Sequence, residues 1–221
     1  METSLGEQIM LLSLDDTTGI PRLPVQCEFA ISSSASVLEL ALAGRVRSEG
    51  DHLVVTDPTP LGIPALDGTL QRIAAQSERE DAQAWIFRLR KPAVDDTRRA
   101  LVEKGVIREE RTRRWGIFPA SRYPEADGTV ERQLRRTLSA VVLEGQEPDA
   151  RTAALVVLLH SGGLHELVFD EADRAAARKR MAELTEVHWA EPVMHQLANS
   201  VHLALTTIAA ATTAAVVNTV V

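Results

Sequence analysis

One pattern occurs twice in this chain and sets its local plan. Leu40-x-x-x-Gly44-x-Val46-Arg47 matches Leu101-x-x-x-Gly105-x-Ile107-Arg108 at an offset of 61 residues. In each copy an apolar helical stretch stops at a glycine, the residue that turns left-handed without a Cβ clash and so ends helices. An apolar return strand follows each: Leu53-Val54-Val55 in the first, Trp115-Gly116-Ile117-Phe118 in the second. Helix, glycine stop and hairpin make up the end of a winged-helix unit. An ancient duplication or a common unit used twice would both produce this, and the small number of matching positions favours the second.

The remaining periodicity is mostly helical. Leu5 to Leu14 is an apolar run, helix or strand, that enters a turn at Asp15-Asp16-Thr17-Thr18-Gly19. Glu28 to Ala43 reads as a helix, Val46 to Thr56 as a hairpin around Gly50-Asp51, and Leu66 to Ala75 as a helix. Asp81 to Leu89 has helical spacing, with Pro92 breaking it or opening a new helix. Thr97 to Lys104 is helical. Val106 to Phe118 reads as the second hairpin, turning near Arg111 to Arg114. Further helices are expected at Glu131 to Leu143, at Ala150 to His160 as a buried element, and at Asp170 to Leu184 as an amphipathic surface element. Pro192 opens the last one. Gln196 to Val221 carries no Asp, Glu, Lys or Arg, yet it holds Asn199, Ser200, His202 and several threonines. It is too polar for a membrane span and reads as a buried central helix. The fold class expected is a mainly α, single domain over 1–221, with a buried central helix core and small β-hairpins.

With aromatics at only 4% of the residues, the core must be built from Leu, Val and Ala. One cysteine, Cys27, excludes an internal disulfide and leaves no cysteine-based zinc site. Residues Met1 to Gly6 show no basic stretch ahead of an apolar one, so no secretory signal is visible and the default compartment is the cytoplasm.

Catalytic signatures are missing: there is no G-x-S-x-G elbow, P-loop, G-x-G-x-x-G or H-E-x-x-H. His160 and His165 flank a Gly-rich turn and read as a helix end rather than a metal site. His188, His195 and His202 are seven residues apart, roughly 10.5 Å along a helix, too far to share one ion. Asp15 and Asp16 read as turn formers, and Cys27 as a packed thiol. Nothing here supports an enzyme, a cofactor or a metal.

Charge is the informative feature. From Arg88 to Arg122 the chain carries eleven Lys and Arg against five acids, a window of +6 in a protein of net −7, which leaves −13 for the rest. A basic island on an acidic protein suggests an anionic partner, although a solvated helix face with local ion pairs would look the same. The tip of the second hairpin, Arg111-Thr112-Arg113-Arg114, stands beside Trp115, Ile117 and Phe118. Cations beside an interfacial aromatic suit a lipid headgroup surface, and equally a DNA-binding wing, while Trp115 and Ile117 could instead fill the core.

Five segments, in order, resemble the Golgi phosphoprotein 3 family. They are Met10 to Gly19 (MLLSLDDTTG), Leu38 to Val46 (LELALAGRV), Asp57 to Gly62 (DPTPLG) with Leu66-Asp67, Leu101 to Val106 (LVEKGV), and Arg151 to Leu155 (RTAAL) with Leu158-Leu159-His160. The likeness runs from about Leu5 to Val217, and the alanine- and arginine-rich wording resembles the bacterial, especially actinobacterial, branch. The resemblance implies a single helical domain. It also implies a peripheral membrane adaptor that binds a phosphoinositide in a basic pocket, inserts a hairpin into the bilayer and holds the tails of membrane proteins.

Counted without gaps from Glu39, the family's pocket tryptophan and first arginine fall on Pro24 and Ser33. Counted from Gly105, two further arginines fall on Lys91 and Val94. By this resemblance Lys91, with Arg88 and Arg90 near it, would meet the headgroup. Arg111, Arg113, Arg114, Trp115, Ile117 and Phe118 would form the membrane hairpin. The expected partner is an anionic phospholipid surface on the inner face of the membrane. The alternative is a winged-helix DNA-binding protein, which the near-neutral stretch Ala93 to Lys104 disfavours.

Overall fold

The computed structural model describes residues 3–50, 52–76, 80–114, 118–126, 128–187 and 197–207, with backbone alone for 112–114, 118–120 and 187. The first helix, α1 (Leu5–Ser13), opens with a reciprocal cap: the Glu7 amide donates to Ser4 Oγ (3.2 Å) and the Ser4 amide to Glu7 Oε2 (2.6 Å). This Ser-x-x-Glu pairing decides for helix over strand at Leu5.

Helix α2 (Val25–Leu42) packs against α1, α3, α4 and α6 and buries residues on every side. Two of its buried serines are satisfied within the helix: Ser33 Oγ donates to the Ala30 carbonyl (2.9 Å) and Ser36 Oγ to that of Ser32 (3.1 Å). The central helix is therefore α2. The segment 196–221, expected in that place, is different where it is described. Residues 197–207 form a helix with one buried stripe, Leu197, Ala198, Val201, Ala204 and Leu205, and an exposed one that includes Asn199, His202, Leu203 and Thr207. The stripe has the spacing of an amphipathic helix, and 208–221 lie outside the described residues.

Strands β1 (Val46–Glu49) and β2 (His52–Val55) pair antiparallel with Val46 opposite Val55, the first hairpin as expected. Helix α3 (Pro64–Ala74) leads to α4 (Ala82–Glu103). Pro92 neither breaks α4 nor starts a new helix. A proline inside a helix costs about 3 kcal/mol. A single buried stripe, Trp85, Ile86, Leu89, Ala93, Val94, Thr97 and Leu101, continues straight through it and holds both halves on the core.

The second hairpin is displaced from its expected register. Arg111 to Arg114 are not the turn: they belong to β3 (Glu110–Arg114), and the return strand is β4 (Phe118–Arg122), with Glu110 opposite Arg122 and Arg114 opposite Phe118. Val106-Ile107 form no strand, although Ile107 makes an isolated bridge to Glu125. Residues 115–117, between the two strands, lie outside the described residues, and with them the expected positions of Trp115 and Ile117. Helices α5 (Thr129–Val142) and α6 (Ala150–Ser161), a short 3-10 turn (Leu164–Leu167) and α7 (Arg174–Val187) complete the body.

Most of the buried side chains form one cluster around α2, α4 and α6. A smaller one, Met10, Leu11, Leu14, Val94, Leu101, Ile107 and Tyr123, lies under the foot of the second hairpin.

Candidate functional site

The basic island divides into spent and unspent cations. On α4, Arg88 Nη2 donates to Glu80 Oε1 (2.5 Å) and its guanidinium lies 5.4 Å from the Trp85 ring centroid. Lys91 Nζ donates to Asp95 Oδ2 (2.5 Å), one turn on along the helix. Arg90 stacks on Phe87 at 4.8 Å and donates to the Phe87 carbonyl, with no carboxylate partner among the described residues. Arg99 pairs with Asp96 (3.1 Å). The three cations expected at a headgroup, Arg88, Arg90 and Lys91, thus lie within about one turn of α4, at least partly exposed, two of them in ion pairs. The other family-pocket positions face elsewhere. Ser33 and Val94 are fully buried, and Pro24 is exposed at the start of α2.

On the hairpin the balance is reversed. Arg122 pairs with Glu110 across the strands (2.6 Å), and Ser121 Oγ donates to Glu109 (3.1 Å). Arg108 and Arg111 are exposed, and their guanidinium groups have no hydrogen-bond or ion-pair partner among the described residues. The side chains of Arg113, Arg114 and Phe118 lie outside the description.

What anchors this hairpin is its foot. The Arg108 amide donates to the Pro124 carbonyl (3.0 Å), the Tyr123 amide to the Gly19 carbonyl (2.7 Å) and the Ala126 amide to Val106 (2.8 Å). Gly19 is left-handed, and a Cβ there would sit 2.3 Å from Pro124 N, so only glycine allows this approach.

Arg98 locks the foot to the body. Its guanidinium stacks on Tyr123 at 4.7 Å and donates to Glu28 Oε1 (2.9 Å). Burial pushes the Glu28 carboxyl above its ordinary range, against the pull of Arg98. Lys104 pairs with the buried Glu7 (2.7 Å), and Arg151 with Glu39 (2.5 Å), whose carboxyl is likewise raised by burial. Counting charge along the sequence missed these three pairs, because the partners lie 70, 97 and more than 100 residues apart.

At the far end of α6, the His160 and His202 rings stack 6.5 Å apart, and Ser161 Oγ lies 3.0 Å from His202 Nδ1. Burial, and then the neighbouring His202, hold His160 below the usual imidazole range. His165 is lowered by burial and by Arg178, whose Nη2 lies 3.0 Å from His165 Nε2. Among the described residues no group of three or more His, Cys, Asp or Glu could hold a metal.

A cleft of about 340 Å³ lies between α1, α5 and α6. Neutral side chains such as Gln8, Gln133 and Thr137 line it, and its one charged group, Arg151, is already paired. It brings no nucleophile together with a base. No described helix is long and apolar enough to cross a membrane.

The described body is mainly helical, and exposed arginines stand on a hairpin with a buttressed foot. The chain belongs to the Golgi phosphoprotein 3 (GPP34) family, whose family model matches residues 5–201. The match takes in α1 through α7 and both hairpins, so the family's defining sequence is the body described above.

Proposed function

We propose that this protein is a non-enzymatic peripheral membrane adaptor, from the bacterial branch of its family, that meets anionic phospholipid on a cytoplasmic membrane face. The observation that carries the reading is the pair of unpartnered arginines, Arg108 and Arg111, on a hairpin whose remaining ion pair is internal. A cation near an anionic bilayer contributes about 1 kcal/mol, and the effect fades within a Debye length.

Arg88, Arg90 and Lys91 supply the second contact, taking up a phosphorylated headgroup of the phosphoinositide kind. The Lys91–Asp95 pair is exposed, and such pairs are worth about 0.3–0.5 kcal/mol, so a phosphate displaces the carboxylate at little cost. Arg113, Arg114, Trp115, Ile117 and Phe118 complete the membrane hairpin. Tails of membrane proteins are the second class of partner in this reading.

Cosedimentation with vesicles tests it. The protein should pellet with phosphatidylserine-containing vesicles, release as salt rises and stay in solution with phosphatidylcholine alone. Trp115→Ala should weaken the pelleting without lowering the melting temperature. Equal recovery with neutral and anionic lipid would remove the electrostatic contact. A shift of duplex DNA at low salt would favour the winged-helix alternative. Against that alternative, Arg98 and Lys104 on the candidate recognition helix, Ala93 to Lys104, are held by the buried carboxylates Glu28 and Glu7.

A further inference from the structure

The turn between α1 and α2 carries two of the most exposed large aliphatic side chains among the described residues, Ile20 at 51% and Val25 at 53%. They bracket a short stretch, Pro21-Arg22-Leu23-Pro24, with no acid in it. This loop is held in shape. Leu14 bridges Pro21, the Asp15 amide donates to the Ile20 carbonyl (3.0 Å), and the Arg22 amide donates to the Ser13 carbonyl (2.8 Å). Asp15 is turned inward on the turn, accepting from the Thr18 amide (2.8 Å) and hydroxyl (2.7 Å). Arg22 spends its guanidinium on the carbonyls of Leu12 (3.0 Å) and Leu167 (3.4 Å), not on a carboxylate, so its full charge stays at the surface.

The loop is also stitched to the foot of the second hairpin. Gly19, next to Ile20, accepts the Tyr123 amide, and Pro124, next to Tyr123, accepts the Arg108 amide. Adjacent chains joined in this way lie roughly 5 Å apart. The strip that carries Ile20 and the strip that carries Arg108 therefore flank the Tyr123-Pro124 strip, one on each side. Two exposed aliphatic side chains on a proline-stiffened loop, with the charge of Arg22 between them, are well matched to the boundary of an anionic bilayer. The apolar groups enter the acyl edge while the arginines remain at the phosphates. Little ordering entropy is lost on contact, because the loop is already fixed.

We propose that the loop Ile20 to Val25 is a second membrane-contact element, inserting Ile20 and Val25 into the surface of an anionic bilayer beside the hairpin. This rests on the membrane reading above, and the experiment separates the two. Binding to vesicles of phosphatidylcholine with phosphatidylserine is measured for the wild type, for Ile20→Ser/Val25→Ser and for Leu143→Ser, an exposed leucine at the end of α5. The loop variant should lose about tenfold in partitioning, since each buried methylene contributes. Leu143→Ser should bind as the wild type does, and all three should melt alike.

As a check that does not depend on that variant's folding, Ile20→Cys in a Cys27→Ser background is labelled with an environment-sensitive fluorophore. Its emission should shift to the blue with anionic vesicles. A wild type that binds no anionic vesicle overturns both readings. A wild type that binds, with undiminished binding by the loop variant or no blue shift at position 20, overturns this inference alone. So does an equal loss in Leu143→Ser.

Discussion

The two helix–glycine–hairpin units begin alike and end differently. In the first, Gly44 is left-handed and the Arg45 amide donates back to the Leu40 carbonyl (2.8 Å). In the second, Gly105 is left-handed and the Val106 amide donates to Leu101 (3.0 Å). From there they part. The first hairpin turns Val46 and Leu53 into the main core, and the Leu53 amide donates to the Glu80 carbonyl (2.9 Å). The second has no apolar residue in β3, and among the described residues Ile107, Tyr123 and Arg98 fasten it at its foot. The glycine fixes the local turn. The side chains on the strands then decide whether the hairpin is absorbed into the core.

The largest effects should follow that division. Leu53→Ala removes a buried side chain and should cost about 2–5 kcal/mol in a denaturant melt. Arg111→Ala, at the exposed position of the other hairpin, should change stability by about 0.5 kcal/mol or less. If both variants melted like the wild type, the first hairpin would not be part of the core. Arg98→Ala should fall between them at about 2–3 kcal/mol, because it leaves Glu28 buried without its cation and frees Tyr123. A loss as small as that of Arg111→Ala would show that the foot does not depend on this residue.

The glycines sharpen the shared half of the comparison. A Cβ at Gly44 or Gly105 meets nothing within 4 Å, so only the left-handed backbone opposes it. Gly44→Ala and Gly105→Ala should therefore each cost about 1–2 kcal/mol, and by similar amounts. Unequal losses would mean that the two turns differ locally as well as in their strands.

Much of this fold was legible because helix periodicity and glycine stops are local signals. Both α6 and the first hairpin follow directly from their apolar spacing. What failed required information from outside the segment. Pro92 marks a break on local grounds, and only the buried stripe from Trp85 to Leu101 carries α4 past it. Glu-Arg-Thr-Arg-Arg has no strand signature of its own and becomes a strand by pairing with Phe118 to Arg122. The Ser4-x-x-Glu7 capping box is itself a local signal, and it specifies α1 as a helix. Of the candidate site, the excess of cations was visible in the sequence. Which of them are spent was not, because Glu28, Glu7 and Glu80 approach from elsewhere in the fold or the chain.

The smallest expected effect is a pH dependence, carried by groups on α2 and α6 rather than by the strands of either hairpin. His160 is held below its ordinary range in the folded state, so its contribution is present above about pH 6.5 and is lost as pH falls toward the folded value. Glu28 and Glu39 are raised, so their contribution has the opposite sign: present below about pH 4.5 and lost as pH rises through their folded values. His160→Gln should flatten the loss of stability on mild acidification in a melt series. An unchanged slope would assign that loss to another group.

The central claim is that the second hairpin is offered to an anionic surface while the first is structural. The direct measurement is phosphatidylserine-vesicle binding by Arg108→Ala/Arg111→Ala, with melting temperature recorded on the same preparation. The account predicts that the variant melts like the wild type and loses most of its salt-sensitive binding. Wild-type binding by that variant, with its salt dependence intact, would contradict the account.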